Sequence, residues 1–300
     1  MSVPLPVRAP EWIRGRRLRL TDLHEVKSLM RARSLHTVCE EARCPNRGEC
    51  FGRGTATFLL LGDVCTRACG FCDIANGRPR PVDPEEPGRV AEAAGRMALK
   101  FVVLTSVNRD DLPDGGAAHF AATVGALKRL DPVPGIEVLT PDFAGNPEAL
   151  PVVLAARPDV FNHNVETVPR LYARVRRGAR LDRSLALLAN AKRLARDITT
   201  KSGLMVGVGE TEPEVLELLE RLRAADVDIV TIGQYLQPSR ENLPVEAYVH
   251  PDAFQRYTEA GERLGFRHVF AGPFVRSSYR AEEALAAASA VSSFESRVSS

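Results

Sequence analysis

The sequence predicts an α/β fold, a partial (β/α)6 barrel of the TIM type built from parallel strands, lying between an N-terminal and a C-terminal extension. Three observations predict it. Six short apolar runs recur along the chain, helix-like stretches separate them, and no linker divides the 300 residues mid-chain. The runs at 56–61, 101–105, 136–139, 160–164, 203–208 and 229–232 read as short strands buried on both faces. The stretches at 87–99, 116–130, 147–156, 183–196 and 212–225 space their apolar residues three and four apart, which gives each helix one face to lay on a sheet. Strand, helix, strand with right-handed crossovers yields a parallel sheet, and its chemistry is expected at the strands' C-terminal ends.

The flanks read differently. Residues up to about 53 are polar and Arg-rich, with one helical stretch at 21–34 opened by Thr21 and Asp22 as an N-terminal cap. After 232 the pattern loosens into Pro-containing loops, a helix at 252–264 and an apolar segment ending at Tyr279. The last twenty residues, rich in Ala and Ser, read as a frayed helix or a disordered tail. The expected organisation is 1–54 as the N-terminal extension, 55–235 as the barrel and 236–300 as the C-terminal extension closing it. No repeat at solenoid spacing is present.

Composition narrows the class. With 44% hydrophobic and 26% charged residues the chain has enough apolar material for a core, which excludes disorder. No apolar stretch approaches the roughly 20 residues of a bilayer span, and the Pro-rich opening lacks a signal-peptide core. A soluble cytoplasmic protein is expected. Forty basic residues against 38 acidic ones leave a net charge of +2, so neither nucleic acid nor an anionic membrane is an expected partner.

The cysteines carry the chemistry. All six lie between Cys39 and Cys72. A disulfide framework suits small secreted domains, so metal or redox chemistry is the better reading. The triplet Cys65-Thr-Arg-Ala-Cys69-Gly-Phe-Cys72 falls just after the first predicted strand. Three thiolates at that spacing can ligate three irons of a cubane cluster and leave the fourth open to a ligand. A structural zinc ordinarily takes a fourth protein ligand, and none follows at finger-like spacing. The triplet Cys39, Cys44, Cys50 has wider spacings, which suit a loop around a second cluster. From spacing alone it is equally an accessory electron-transfer centre, a staple for the extension or a catalytic group.

The second triplet, with Phe71 before its last cysteine, resembles the signature of the radical S-adenosylmethionine (SAM) superfamily. The run from Leu35 through Cys39, Cys44 and Cys50, followed by Gly54-Thr-Ala-Thr-Phe58, is similar to that of the lipoyl synthase family. So are Thr105-Ser-Val-Asn-Arg-Asp-Asp, Phe161-Asn-His-Asn-Val-Glu, Lys201-Ser-Gly-Leu-Met-Val-Gly-Val-Gly-Glu, Gly233-Gln-Tyr-Leu-Gln-Pro and the closing Arg276-Ser-Ser-Tyr279. The resemblance spans roughly residues 12–279. It implies two [4Fe–4S] clusters and SAM. Cys65, Cys69 and Cys72 would hold the cluster that binds SAM, and Cys39, Cys44, Cys50 and the hydroxyl of Ser278 an auxiliary cluster that donates sulfur. The implied reaction is insertion of two sulfur atoms at C6 and C8 of an octanoyl chain on a carrier lysine. Implied partners are an octanoylated lipoyl carrier domain or glycine cleavage H protein, an electron donor such as ferredoxin or flavodoxin, and iron–sulfur assembly or carrier proteins. Serine oxygen is a poorer iron ligand than thiolate, which suits one that must be released. Phe51, Asn242 and Ala247 depart from the family's pattern, where tryptophan, histidine and arginine are expected; they bear on substrate-loop contacts.

Within that resemblance Phe71 would shield the adenosine. Asn164 and Glu166, at the end of the fourth predicted strand, are candidates to bind ribose or the methionine amino group, or else cap the following loop. Ser106, Asn108 and Arg109 either bind the cofactor's polar end or form a solvated turn. Gly207 and Gly209 would let backbone approach the nucleoside; a dinucleotide fingerprint is disfavoured because Glu212 stands at its third glycine. His163 points to the face opposite Asn164 and belongs to the core. Arg14, Arg16, Arg17 and Arg19 form a basic cluster that either meets an acidic carrier or is merely solvated. Competing functions rank lower. A biotin-type sulfur inserter would draw ligands from barrel strands, yet no cysteine follows Cys72. A tRNA-type enzyme would carry a basic domain, and an iron–sulfur electron carrier or zinc module would be inert toward SAM.

Overall fold

The computed structural model describes residues 9–14, 30, 33, 35–38, 44, 46–283 and 285. Cys39, Arg16, Arg17, Arg19, nearly all of the helix expected at 21–34 and most of the last twenty residues lie outside them. In chain order the strands are β1 (His36–Thr37), β2 (Thr55–Leu60), β3 (Val64–Cys65), β4 (Ala75–Asn76), β5 (Phe101–Ser106), β6 (Gly135–Leu139), β7 (Val160–Asn162), β8 (Thr199–Val206), β9 (Ile229–Gln234) and β10 (His268–Gly272). The main sheet runs β1-β2-β5-β6-β7-β8-β9-β10, and β3 pairs with β4 apart from it. Every pairing from β2 through β10 is parallel; only β1 joins antiparallel.

All six predicted strands are present. Their ends shift by a residue or two, and most at β8, which runs Thr199–Val206; β9 extends to Gln234, and β7 stops at Asn162, leaving Asn164 and Glu166 in the loop beyond it. The C-terminal extension adds a seventh parallel strand, β10, on β9. Its segment opens on a polar histidine, so periodicity alone marks it as no more than apolar.

Helices Glu86–Arg96, Ala117–Leu127, Ala149–Ala155, Leu181–Leu194 and Glu212–Ala224 fall where the spacing puts them, and Pro251–Leu264 packs against β10. The helix Glu212–Ala224 starts in a capping box between Thr211 and Glu214, which satisfies backbone donors at its first turn. Glu86 fixes the exit of β2: its carboxylate accepts the Leu61 N–H at 2.9 Å and touches His119 Nε2 at 2.6 Å. Leu61 there is left-handed (φ 68°), turning the chain toward the second cysteine triplet.

The two faces of the sheet differ in kind. On β5, Val102 and Leu104 join the large aliphatic cluster with the helices, whereas Phe101 and Val103 meet Val160, Ala281 and Leu285. The C-terminal segment therefore covers the inner face. By the same alternation Glu137 and Asn162 turn inward, away from the neighbours that join the helices. Lys201 Nζ lies 2.9 Å from Glu137 Oε2, Asn162 Nδ2 donates to Glu137 Oε1 at 2.7 Å, and both charged groups are fully buried. Losing one member of such a pair costs about 3–5 kcal/mol, because the other charge is left without compensation.

Candidate active site

The second triplet sits in the loop after β2, the position a parallel barrel reserves for chemistry. Backbone holds it from three sides. Cys65 Sγ accepts the N–H groups of Arg67 (3.4 Å) and Asn108 (3.3 Å), Gly70 N–H donates to Val175 O (2.9 Å), and Leu243 N–H donates to Gly70 O (2.9 Å). Asn242 Nδ2 donates to Cys72 O at 2.8 Å, so the residue that departs from the family's pattern anchors the cysteine loop. Phe71 packs at the margin of the core.

The thiols suit a metal. Burial pushes Cys69 up to about 12 against the opposing charge of Arg176, and burial pushes Cys72 up to about 11. A buried thiol held neutral gains a charge partner when iron binds and takes the proton's place. Among the described residues no three His, Cys, Asp or Glu side chains converge to hold a single ion. Ligands to three separate irons need not converge on one point.

Around this loop the structure collects the other candidates. Asn164 is buried; its Nδ2 donates to Glu166 Oε1 (3.0 Å) and Ser277 Oγ (2.6 Å), while its Oδ1 has no partner. Glu166 is left-handed (φ 67°), and partial burial raises its carboxyl, with Arg176 and Asn164 opposing. Ser106 Oγ is another buried atom without a partner. Such atoms fit a polar ligand that supplies the missing bonds. Asn108 contributes backbone to Cys65, whereas Arg109 is buried in an ion pair with Asp111 at 2.8 Å and belongs to the turn. At Gly207 (φ 97°) a Cβ would collide with Gln234 Nε2 and Ala247 O, so close packing of the chain itself already requires this glycine. Gly209 (φ 110°) lies on the same turn, whose N–H groups at 207 and 208 are held by the Glu210 carboxylate. His163 is fully buried as expected, yet in a polar setting. It contacts Thr140 O at 2.8 Å and Ser184 Oγ at 2.9 Å, and burial, with Arg176 adding to it, pushes it down to about 3.

The first triplet is met by the far end of the chain. Cys50 lies in the helix Arg47–Gly52, and Cys44 precedes it. Asn46 Nδ2 donates to Phe274 O (2.6 Å), Tyr279 Oη donates to Glu49 Oε1 (3.0 Å), and Arg53 pairs with Glu282 (2.8 Å). Ser278 thus stands between Ser277, bonded to the barrel through Asn164, and Tyr279, bonded to the residue before Cys50. Sequence reasoning missed Arg176, Glu49 and the Lys201–Glu137 pair. Arg176 alone carries a local signal, one of several arginines crowded between 170 and 183.

A parallel partial barrel with this cysteine loop at the end of its first strand defines a radical SAM enzyme. The radical SAM superfamily pattern matches residues 59–222. Lipoyl synthase of Caldanaerobacter subterraneus subsp. tengcongensis is 56% identical over 284 residues, covering 95% of this chain and 99% of that one. Lipoyl synthase of Azotobacter vinelandii is 53% identical over 277 residues, 92% of this chain and 85% of that one. Among solved structures, Streptococcus suis SuiB bound to S-adenosylmethionine aligns with a TM-score of 0.57 at 14% identity, over 84% of this chain; the chain spans 61% of SuiB's length. Methylornithine synthase aligns with a TM-score of 0.54 at 16% identity, over 82% of this chain and 74% of that one. These two likenesses speak for the fold. The chain belongs to the lipoyl synthase family of the radical SAM superfamily. It is a sulfur-inserting enzyme whose superfamily implies SAM and a [4Fe–4S] cluster, acting on a lipoyl-carrier substrate. Among the described residues no helix is long and apolar enough to cross a membrane.

Proposed function

We propose that this enzyme inserts two sulfur atoms, at C6 and C8, into an octanoyl chain amide-linked to a lysine of a lipoyl carrier domain or H protein. Cys65, Cys69 and Cys72 hold the SAM-binding cluster, and Cys39, Cys44, Cys50 and Ser278 hold a second [4Fe–4S] cluster. Bound there, the first supplies reductive cleavage of SAM to a 5′-deoxyadenosyl radical and the second supplies sulfur.

One observation carries this reading. Ser277 and Tyr279, on either side of Ser278, bond Asn164 in the barrel and Glu49 in the helix that carries Cys50, so one short segment bridges the barrel's candidate SAM residues and the first triplet's helix. The chain's own residues then divide the work. Phe71 covers the adenosine, while Asn164, Glu166, Ser106 and Asn108 orient SAM's polar groups, with backbone at Gly207 and Gly209 beside the nucleoside. The inner face, covered by Ala281 and Leu285, keeps water from the radical. No side-chain base is needed to remove hydrogen from an unactivated carbon.

The domain assignment follows: 1–54 carries auxiliary ligands, 55–235 is the radical SAM barrel and 236–300 closes it while supplying the serine. The enzyme works in the cytoplasm with an electron donor such as ferredoxin or flavodoxin and with iron–sulfur carriers that restore the spent cluster. Mass spectrometry of an octanoyl-lysine peptide incubated with reconstituted enzyme, SAM and reductant tests the whole. Sulfur gain at two carbons is expected; an unchanged peptide beside normal 5′-deoxyadenosine formation would refute the sulfur-insertion step.

A further inference from the structure

The reaction draws electrons from outside, and the groove against the cysteine loop offers a place for them to enter. An open groove of about 480 Å³ is lined by Thr66, Arg67, Asp110, Ala144, Gly178, Arg177 and Arg183. Its wall includes the residue next to Cys65, one Cα step of about 3.8 Å from a cluster ligand. Arg67 N–H donates to Cys65 Sγ, and its guanidinium is held by Asp110 and Asp142 at 2.7 Å each. That floor is rigid. A protein seated here lies against the segment that carries Cys65, and electron transfer weakens steeply with distance.

Charge decides which protein fits. Arg183 shares Asp142 with Arg67 at 3.1 Å, and on the nearby surface Arg180 is paired with Asp182 at 2.6 Å and Arg174 with Glu246 at 2.9 Å. Arg177 is exposed and has no partner among the described residues. Three arginines therefore face two carboxylates across the groove, and the surplus lies on its outer rim. A positive rim over a closely placed redox centre suits an acidic partner, drawn in by complementary charge.

We infer that this groove is the docking surface of an acidic one-electron carrier protein, with Arg177 on its contact rim. The inference rests on the radical SAM reading of the cysteine loop. In the transfer the carrier is oxidised by one electron. The electron ends in the broken C5′–S bond of SAM, leaving methionine and the 5′-deoxyadenosyl radical, so no further co-reactant is required.

The test compares wild type with Arg177→Glu and Arg177→Lys, using a reduced [2Fe–2S] ferredoxin or dithionite as donor. Calorimetric binding of the oxidised ferredoxin gives a readout independent of turnover. Arg177→Glu is expected to weaken ferredoxin binding about tenfold at low salt. It should slow ferredoxin-driven 5′-deoxyadenosine formation by a similar factor and leave the dithionite-driven rate unchanged. Arg177→Lys should behave as wild type, and salt should erase the difference by screening over about 8–10 Å. Unchanged ferredoxin binding in Arg177→Glu overturns the inference. So does an equal loss with both donors, which marks damage to the cysteine loop, or weakened binding of the octanoylated carrier domain instead, which assigns the groove to the substrate. A wild type inert toward SAM even with dithionite would instead refute the radical SAM reading itself.

Discussion

The two cysteine triplets live in opposite kinds of surroundings. Cys65, Cys69 and Cys72 are fixed by backbone bonds to neighbouring turns of the barrel, from Asn108, Val175 and Leu243. Cys44 and Cys50 sit beside side-chain contacts from residues more than two hundred positions away, through Phe274, Tyr279 and Glu282. A backbone-held loop keeps its shape as long as the barrel stands. A segment clasped by side chains can be released without unfolding the rest, which is what the proposed sulfur-donating role of the first triplet would require.

The sharpest way to break this comparison is to remove ligands from each side. Alanine at Cys65, Cys69 or Cys72 should abolish both 5′-deoxyadenosine formation and thiolation. Alanine at Cys39, Cys44 or Cys50 should abolish thiolation while SAM cleavage, followed by chromatography, continues. Lipoyl product from a Cys44→Ala enzyme would overturn the donor assignment.

Next in size is the barrel's own rigidity. Lys201→Ala strands Glu137 inside the sheet and should cost about 3–5 kcal/mol in chemical denaturation. A loss below about 1 kcal/mol would mean that the inner face admits water.

The third prediction concerns acid. His163 titrates near 3 when folded and near 6.5 in an unfolded chain. The unfolded state therefore takes up the proton first. This contribution to stability is complete above about pH 6.5 and is lost progressively as pH falls from there toward 3. Between pH 6.5 and 5 the fall should approach about 1.4 kcal/mol per pH unit. In His163→Gln the slope should be shallower by that one proton; parallel curves would show that His163 does not carry it.

The smallest effect tests the clasp. Tyr279→Phe removes one hydrogen bond to Glu49, worth about 1 kcal/mol. It should lower thiolation severalfold and leave SAM cleavage and the unfolding midpoint near wild type. If both activities fell together, the two regions would not be separable.

Much of this was legible in the chain. The six barrel strands stand out because parallel strands buried on both faces need consecutive apolar residues, and the helices between them show through their spacing. Both triplets are visible because sulfur spacing is a local property. Strand β10 is less so, since His268 and the glycine at its end dilute a five-residue signal. Asn242 gives no local sign of its partner, because its bond to Cys72 O joins a residue 170 positions away.

What the sequence determined by itself is therefore the order of elements, the radical SAM class of chemistry and the places of the two cysteine triplets, all written in short-range periodicity and spacing. Tertiary structure alone decided that Lys201 and Glu137 share one buried site, that Asn164 reaches Ser277, and that Tyr279 meets the helix of Cys50. The physical reason is that these contacts join residues 64, 113 and 230 positions apart, brought within bonding distance only once the barrel has curved and its last segment has crossed the inner face.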